Sequence, residues 1–314
     1  MYKVTIILFL LVSFTSHAQE RITLETLNSN FVEYAPSVSA DGKRIVFQSN
    51  RNGDYQLFES FKNKEGHWTK PALLKGKINS YGDSTDLIGG PSLSYDGNFL
   101  FFFASYDDGL GLEDIYFSER EGDSWGTPQN IGVPINSKAY EGFPSISSDG
   151  NSLYFMRGND NSVKKTICYT LYVSHKDENG QWQKPIRLPE KINQGCEKFP
   201  RIMPDNETFV FSSIRENTID KSFDLFQSRH LGNNRWTDPL WLNYANTSNH
   251  DYFATVSSVA EYIYLNTKGT ENYNLYSYEI PDQFRPKKVI NITGIVTGKG
   301  NQPLAASLKV YNET

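Results

Sequence analysis

Tyr34 to Ser60 reads YAPSVSADGKRIVFQSNRNGDYQLFES and decides the fold. It divides into three short strands, Pro36 to Ser39, Arg44 to Gln48 and Gln56 to Glu59. The first two are joined by Asp41-Gly42, because glycine accepts the positive φ of a tight hairpin. Apolar and polar residues alternate through Arg44-Ile45-Val46-Phe47-Gln48, the period of a half-buried strand. Such a hairpin cannot bury its apolar face alone, so the reading turns on whether it recurs.

It recurs four more times. The opening phrase Pro-Ser-apolar-Ser-x-Asp-Gly returns at Pro91 to Gly97 and Pro144 to Gly150. At Pro200 to Asn206 asparagine replaces the glycine, and at Ala254 to Glu261 the phrase is degenerate. From Pro36 onward the anchors are 55, 53, 56 and 54 residues apart. Each copy is followed by an apolar strand and then by a strand of the form apolar-aromatic-x-Ser, at Leu57, Ile115, Leu171 and Leu225; the fifth, at Leu275, loses the serine. Trp-x-x-Pro phrases at Trp68, Trp125, Trp182 and Trp236 precede a fourth strand, and the first three units close on Ile78-Asn79, Ile135-Asn136 and Ile192-Asn193. Four antiparallel strands repeated at a period of about fifty residues are expected to form an all-β β-propeller, and the chain holds five such blades.

The fifth unit, 252 to 280, lacks a Trp-x-x-Pro phrase and a fourth strand. Leu24 to Ser29 (LETLNS) matches the end of a fourth strand such as Leu74 to Ser80 (LKGKINS). Residues 21 to 28 are therefore expected to complete the last blade and close the ring, which removes exposed strand edges.

Residues 1–18 read as a signal peptide: Lys3, an apolar run from Ile6 to Phe14, and Ser16-His17-Ala18 as a cleavage site. The run is far shorter than the ~20 residues of a membrane span, and no other stretch is a candidate. The expected domain plan is a propeller over 19–283 and a C-terminal extension over 284–314. In the latter, Ile292 to Tyr311 reads as two strands around a Gly-rich turn, either the first hairpin of a further domain or padding on the propeller. A net charge of −5 without a basic stripe argues against nucleic acid.

The Pro-Ser-x-Ser-x-Asp-Gly…Phe-x-Ser-x-Arg…Leu-Phe/Tyr repeats resemble the TolB-type, WD40-like β-propeller family of bacterial envelopes over residues 20 to 281. The tail resembles the start of a carboxypeptidase-regulatory-like β-sandwich, a layout similar to OmpA-family envelope proteins with the OmpA domain absent. The resemblance implies a non-catalytic binding or scaffold module, exported to the periplasm or cell surface of a Gram-negative bacterium, with a protein or glycan partner and no cofactor. The alternative is a glycan-active lyase or hydrolase with a site assembled at the channel mouth. No Gly-x-Ser-x-Gly elbow or His-Glu-x-x-His phrase is present, and Asp41, Asp96 and Asp149 sit in hairpin turns without a calcium-loop ladder.

Two further expectations concern side chains. Export favours a disulfide between the two cysteines. Cys168 before the third strand of blade three and Cys196 before the first strand of blade four should share one face of the ring; buried free thiols are the alternative. On that face, three residues before each anchor, stand Glu33, Glu141, Glu197 and Asp251, with Ile88 in blade two. The loop leaving each second strand offers Arg51, Arg157, Arg215 and Lys268, with Tyr106 in blade two. These groups form either a ring of ion pairs between strands or a polar binding mouth, flanked by Tyr34, Phe143, Phe199 and Phe253 and opened at Ile88-Gly89-Gly90.

Overall fold

In the computed structural model, residues 20–82, 87–158, 168–216, 218, 221–269, 271–290 and 297–298 are described. The expected signal peptide over 1–18 and the expected hairpin beyond residue 290 lie outside them, apart from residues 297–298.

Five sheets form in chain order, each an antiparallel meander. Blade one is Glu33–Val38, Arg44–Ser49, Gln56–Phe61 and Ala72–Leu73. Blade two is Ile88–Leu93, Phe99–Ala104, Asp114–Glu121 and Gln129–Asn130, with Ser124–Trp125 folding back on its third strand. Blade three comprises Glu141–Ile146, Ser152–Arg157, Thr170–His175 and Ile186–Arg187. Blade four comprises Cys196–Ile202, Thr208–Ile214, Asp224–Arg229 and Leu240–Trp241. Blade five has Asp251–Val256, Tyr262–Lys268 and Tyr273–Glu279, and takes its outer strand from Ile22–Thr23. That strand pairs Ile22 with Ser277 and Thr23 with Tyr276, which closes the ring as expected. The protein is a five-bladed β-propeller. Among the described residues no helix is long and apolar enough to cross a membrane.

The repeat phrases each do identifiable structural work. Gly42, Gly97 and Gly150 turn the first hairpins at φ of 70 to 74°, and Asn206 and Ala260 adopt the same left-handed conformation at 56° and 49°. The buried serines Ser60, Ser118, Ser174 and Ser228 donate to the carbonyl that follows each Trp, at 2.6 to 2.9 Å. Blade five lacks both members of that pair, which is why both degenerate together.

One asparagine per blade takes over where the short fourth strand stops. The Asn79 side chain accepts from Leu57 N–H at 2.8 Å and donates to Leu57 C=O at 2.9 Å. Asn136 treats Ile115 the same way, as do Asn193 with Leu171 and Asn246 with Leu225. For blade five the partner of Leu275 is Asn28, 247 residues away. Leu27, Ile78, Ile135, Ile192 and Ala245, each just before its asparagine, are buried. The ring is thus closed by a side-chain clamp as well as by the two-residue ladder.

Residues 284–290 pack on the propeller. Phe284 is buried against Tyr244, the Val289 N–H donates to Ser258 C=O at 3.0 Å, and Lys287 Nζ pairs with Glu207 at 2.7 Å.

Candidate functional site

First strands of all five blades line the axis. They start at one face, the head face, and end at hairpins on the opposite turn face. In every blade the residue before the proline anchor (before Ala254 in blade five) has positive φ: Ala35 at 50°, Gly90 at 60°, Phe143 at 51°, Phe199 at 55° and Phe253 at 57°. Each sits at a register shift in its ladder. Such a bulge re-aims a side chain; here it sends three phenylalanines to the axis. Ring centroids lie 4.6 Å apart for Phe143–Phe199, 5.0 Å for Phe143–Phe253 and 3.8 Å for Phe199–Phe253. The small residues Ala35 and Gly90 leave room for them, since a Cβ on Gly90 would stand 2.7 Å from the Phe143 ring. The expected opening at Ile88-Gly89-Gly90 is therefore filled. Phe143 occupies the space beside Gly90, and Gln48 Oε1 accepts from Gly90 N–H at 3.3 Å.

The acids expected at the mouth are buried rather than presented there. Glu33, Glu141, Glu197 and Asp251 are 0 to 1% exposed. Glu33 accepts from Ser29 N–H and Oγ at 3.0 and 2.6 Å, from Ser49 Oγ at 3.1 Å and from Arg51 at 2.8 Å. Glu141 is held by Ser137 and by Arg157 at 2.6 Å. Glu197 is held by Gly195 N–H, Ser213 and Arg215 at 3.4 Å. The three arginines also donate to the carbonyls of Leu27, Ile135 and Ile192, each just ahead of a clamping asparagine. Each acid–base pair is therefore a latch on the loop between blades. Burial pushes the Glu141 and Glu197 carboxyls up, against the hydrogen bonds and arginines that pull them down.

Two blades build the latch differently. Asp251 accepts from Thr247 N–H at 2.6 Å and from its hydroxyl, while Lys268 is exposed and makes no ion pair with it, so the expected fourth pair does not form. Without a cation beside it, Asp251 is pushed by burial up to about 7. In blade two Ile88 replaces the acid, and Tyr106 donates its phenol to Ile78 C=O at 3.1 Å, the carbonyl equivalent to those the arginines reach.

What the head face presents at the axis is aromatic. Tyr34 packs edge-on to Phe253 at 4.7 Å and Tyr273 at 5.3 Å. Half-buried Tyr140 and Tyr169 meet at 5.1 Å, and buried Tyr252 lies 5.7 Å from half-buried Tyr273. Lys198 Nζ stands over the rings of Phe223, Tyr169 and Phe199 at 4.8, 5.6 and 5.7 Å. Burial lowers the pKa of that ammonium and raises the phenol of Tyr34 well above its ordinary value. The disulfide Cys168–Cys196, with Cα atoms 4.5 Å apart, anchors the same rim, with Cys168 one residue before Tyr169 and Cys196 two before Lys198. Of the residues singled out from sequence, Tyr34, Phe143, Phe199 and Phe253 converge at the axis. Tyr140, Tyr169, Lys198, Tyr252 and Tyr273 were missed. Lys198 and Tyr252 occupy the same register as Tyr34, one residue after the acid, a signal the repeats contained. Tyr169 and Tyr273 also share a repeat position, two residues before Leu171 and Leu275, where Tyr55 and Phe223 stand in blades one and four; only Tyr140 lacks a Tyr or Phe counterpart.

Among the described residues no group of three or more His, Cys, Asp or Glu side chains is arranged to hold a metal ion. No family model and no curated protein matches the chain. Solved structures similar to it include the GH43 endo-arabinanase from Bacillus licheniformis, with a TM-score of 0.54 at 11% identity over 82% of this chain and 98% of that one. The α-L-arabinofuranosidase from Lactobacillus brevis has a TM-score of 0.53 at 13% identity, over 90% and 97%. A putative TolB from Agrobacterium tumefaciens has a TM-score of 0.49 at 15% identity, over 80% and 77%. At such identities the likeness is one of fold, which hosts many activities.

Proposed function

We propose that the chain is a non-catalytic, exported binding module of the Gram-negative cell envelope, which docks a protein or glycan partner on the aromatic mouth of its head face. The observation that carries this reading is the use made of the axial carboxylates. Glycoside hydrolysis needs two carboxyl groups flanking a bound sugar, about 5 to 9.5 Å apart. The four acids that head the first strands are instead buried in loop latches. The mouth itself has a floor of Phe143, Phe199 and Phe253 with a tyrosine rim and Lys198. Tyrosine brings a large apolar area and a polar tip at low entropic cost, which suits recognition surfaces. Export rests on the signal-peptide pattern, and the envelope setting on the repeat phrases.

The test compares the parent with Tyr140→Ala/Tyr169→Ala in pull-downs from envelope extract and on a panel of glycans that includes arabinan. Both proteins must show the same circular dichroism. The expected result is a partner or glycan retained by the parent and lost by the variant. Hydrolysis of any glycan by the parent would overturn the non-catalytic reading, and equal recovery of every partner by both proteins would overturn the site.

A further inference from the structure

Below the phenylalanine plug, toward the turn face, the residue after each anchor repeats around the axis as Ser37, Ser92, Ser145, Arg201 and Thr255. The hydroxyls stitch the blades together. Ser37 Oγ accepts from Leu93 N–H at 3.0 Å, Ser92 from Ile146 N–H at 3.2 Å, Ser145 from Ile202 N–H at 3.0 Å and Thr255 from Val38 N–H at 3.3 Å. Blade four alone breaks the series, with Arg201. Its side chain, 4% exposed, crosses the axis and donates to Pro144 C=O at 3.1 Å and Pro91 C=O at 3.0 Å. Its Nε–H is buried and has no partner, and among the described residues no carboxylate pairs with it. Burial lowers its pKa to about 10.

Beside it is a cavity of about 50 Å³ lined by Arg201 and by Ser37, Ser92, Ser145 and Thr255. The Phe253 ring, 5.9 Å from the guanidinium carbon, lies between this cavity and the head-face mouth. A buried cation is costly unless a counter-charge neutralises it. Each hydroxyl that accepts an N–H keeps its own proton to donate. Apolar residues such as Leu93, Ile146 and Ile202 complete the lining, in which the hydroxyls are donors and the one charged side chain is Arg201.

We propose that this cavity is a binding site for one small monovalent anion, of the size of chloride or formate, held by Arg201 and the hydroxyl ring. Its volume is a few times that of the smallest cavity that holds a water molecule, enough for such an ion and too small for a sugar or a peptide.

The decisive variant is Arg201→Ser. It restores the residue that blades one to three carry at this position, and its hydroxyl can accept from Val256 N–H as its counterparts do. Parent and variant are titrated with sodium bromide and sodium formate at constant ionic strength, following thermal unfolding, and the parent is crystallised with bromide. The expected result is a saturable rise in the parent's Tm, absent from Arg201→Ser, and an anomalous bromide peak within hydrogen-bond reach of Arg201 Nε. Equal responses from the two proteins, or a cavity holding only water in bromide-soaked crystals, would overturn the site. Should Arg201→Ser fail to fold, the bromide map of the parent decides alone.

Discussion

Replacing Phe253 tests how the axis is built, because this one residue combines full burial with left-handed backbone. It is 0% exposed, touches Phe143, Phe199 and Tyr34, and has a φ of 57°. Truncation to alanine removes a ring from a packed cluster, a loss of roughly 3–5 kcal/mol for Phe→Ala. Alanine also retains the penalty of a non-glycine residue in the left-handed region, about 1–2 kcal/mol. Glycine escapes that penalty. In ordinary strand interiors glycine is worse than alanine by about 0.5–1 kcal/mol, so Phe253 should invert the usual order: Phe253→Gly is expected to be more stable than Phe253→Ala by about 1 kcal/mol. Phe211, equally buried in a second strand without positive φ, is the control, and there alanine should exceed glycine. Urea unfolding of the four variants at pH 7 supplies the numbers. If Phe253→Ala equals or exceeds Phe253→Gly while the control behaves normally, the bulge does not set the plug's geometry.

Three other outcomes follow from the structure. Asn28→Ala orphans the buried N–H of Leu275 at the ring closure, while its C=O keeps the Leu24 N–H at 3.2 Å, and should cost about 1–3 kcal/mol; urea unfolding that matches the parent would refute the clamp. Cys168→Ser/Cys196→Ser opens a loop with a sequence separation of 28 residues, for which chain entropy gives a loss of about 3.5 kcal/mol; two titratable thiols in the denatured, non-reduced parent would refute the bond. Asp251 is raised to about 7 from an ordinary 3.8, so the folded state holds its proton where the unfolded chain has released it. Its contribution is fully present below pH 4 and is lost as pH rises through 7, a change of about 4 kcal/mol. Asp251→Asn should flatten the parent's decline in urea midpoint between pH 4 and 8, and parallel pH profiles would refute the assignment.

The repeats made the blades legible because every feature that builds a blade is local. The hairpin needs positive φ at Gly42 and its counterparts, the third-strand serine needs the Trp loop that follows it within ten residues, and Asn79, Asn136 and Asn193 reach back about 22 residues. The closure by residues 21 to 28 was legible too, because LETLNS carries the same end-of-blade signature, although the Asn28 clamp on Leu275 was not. The cysteines' common face followed from counting strands.

Side-chain direction at the axis did not follow from counting. A bulge shifts the pleat by one residue and exchanges the two faces of a strand, so alternation alone could not say that Phe143, Phe199 and Phe253 turn inward while Glu141, Glu197 and Asp251 sink into the latches. Nor could it pair Tyr140 with Tyr169, or Tyr273 with Tyr34, contacts between separate segments of the chain, the latter made only when the ring closes. Arg201 makes the difference clearest. In sequence it is one departure from a serine repeat; in the ring its position is shared with four hydroxyls from distant segments, and only their convergence turns that departure into a buried charge facing a cavity.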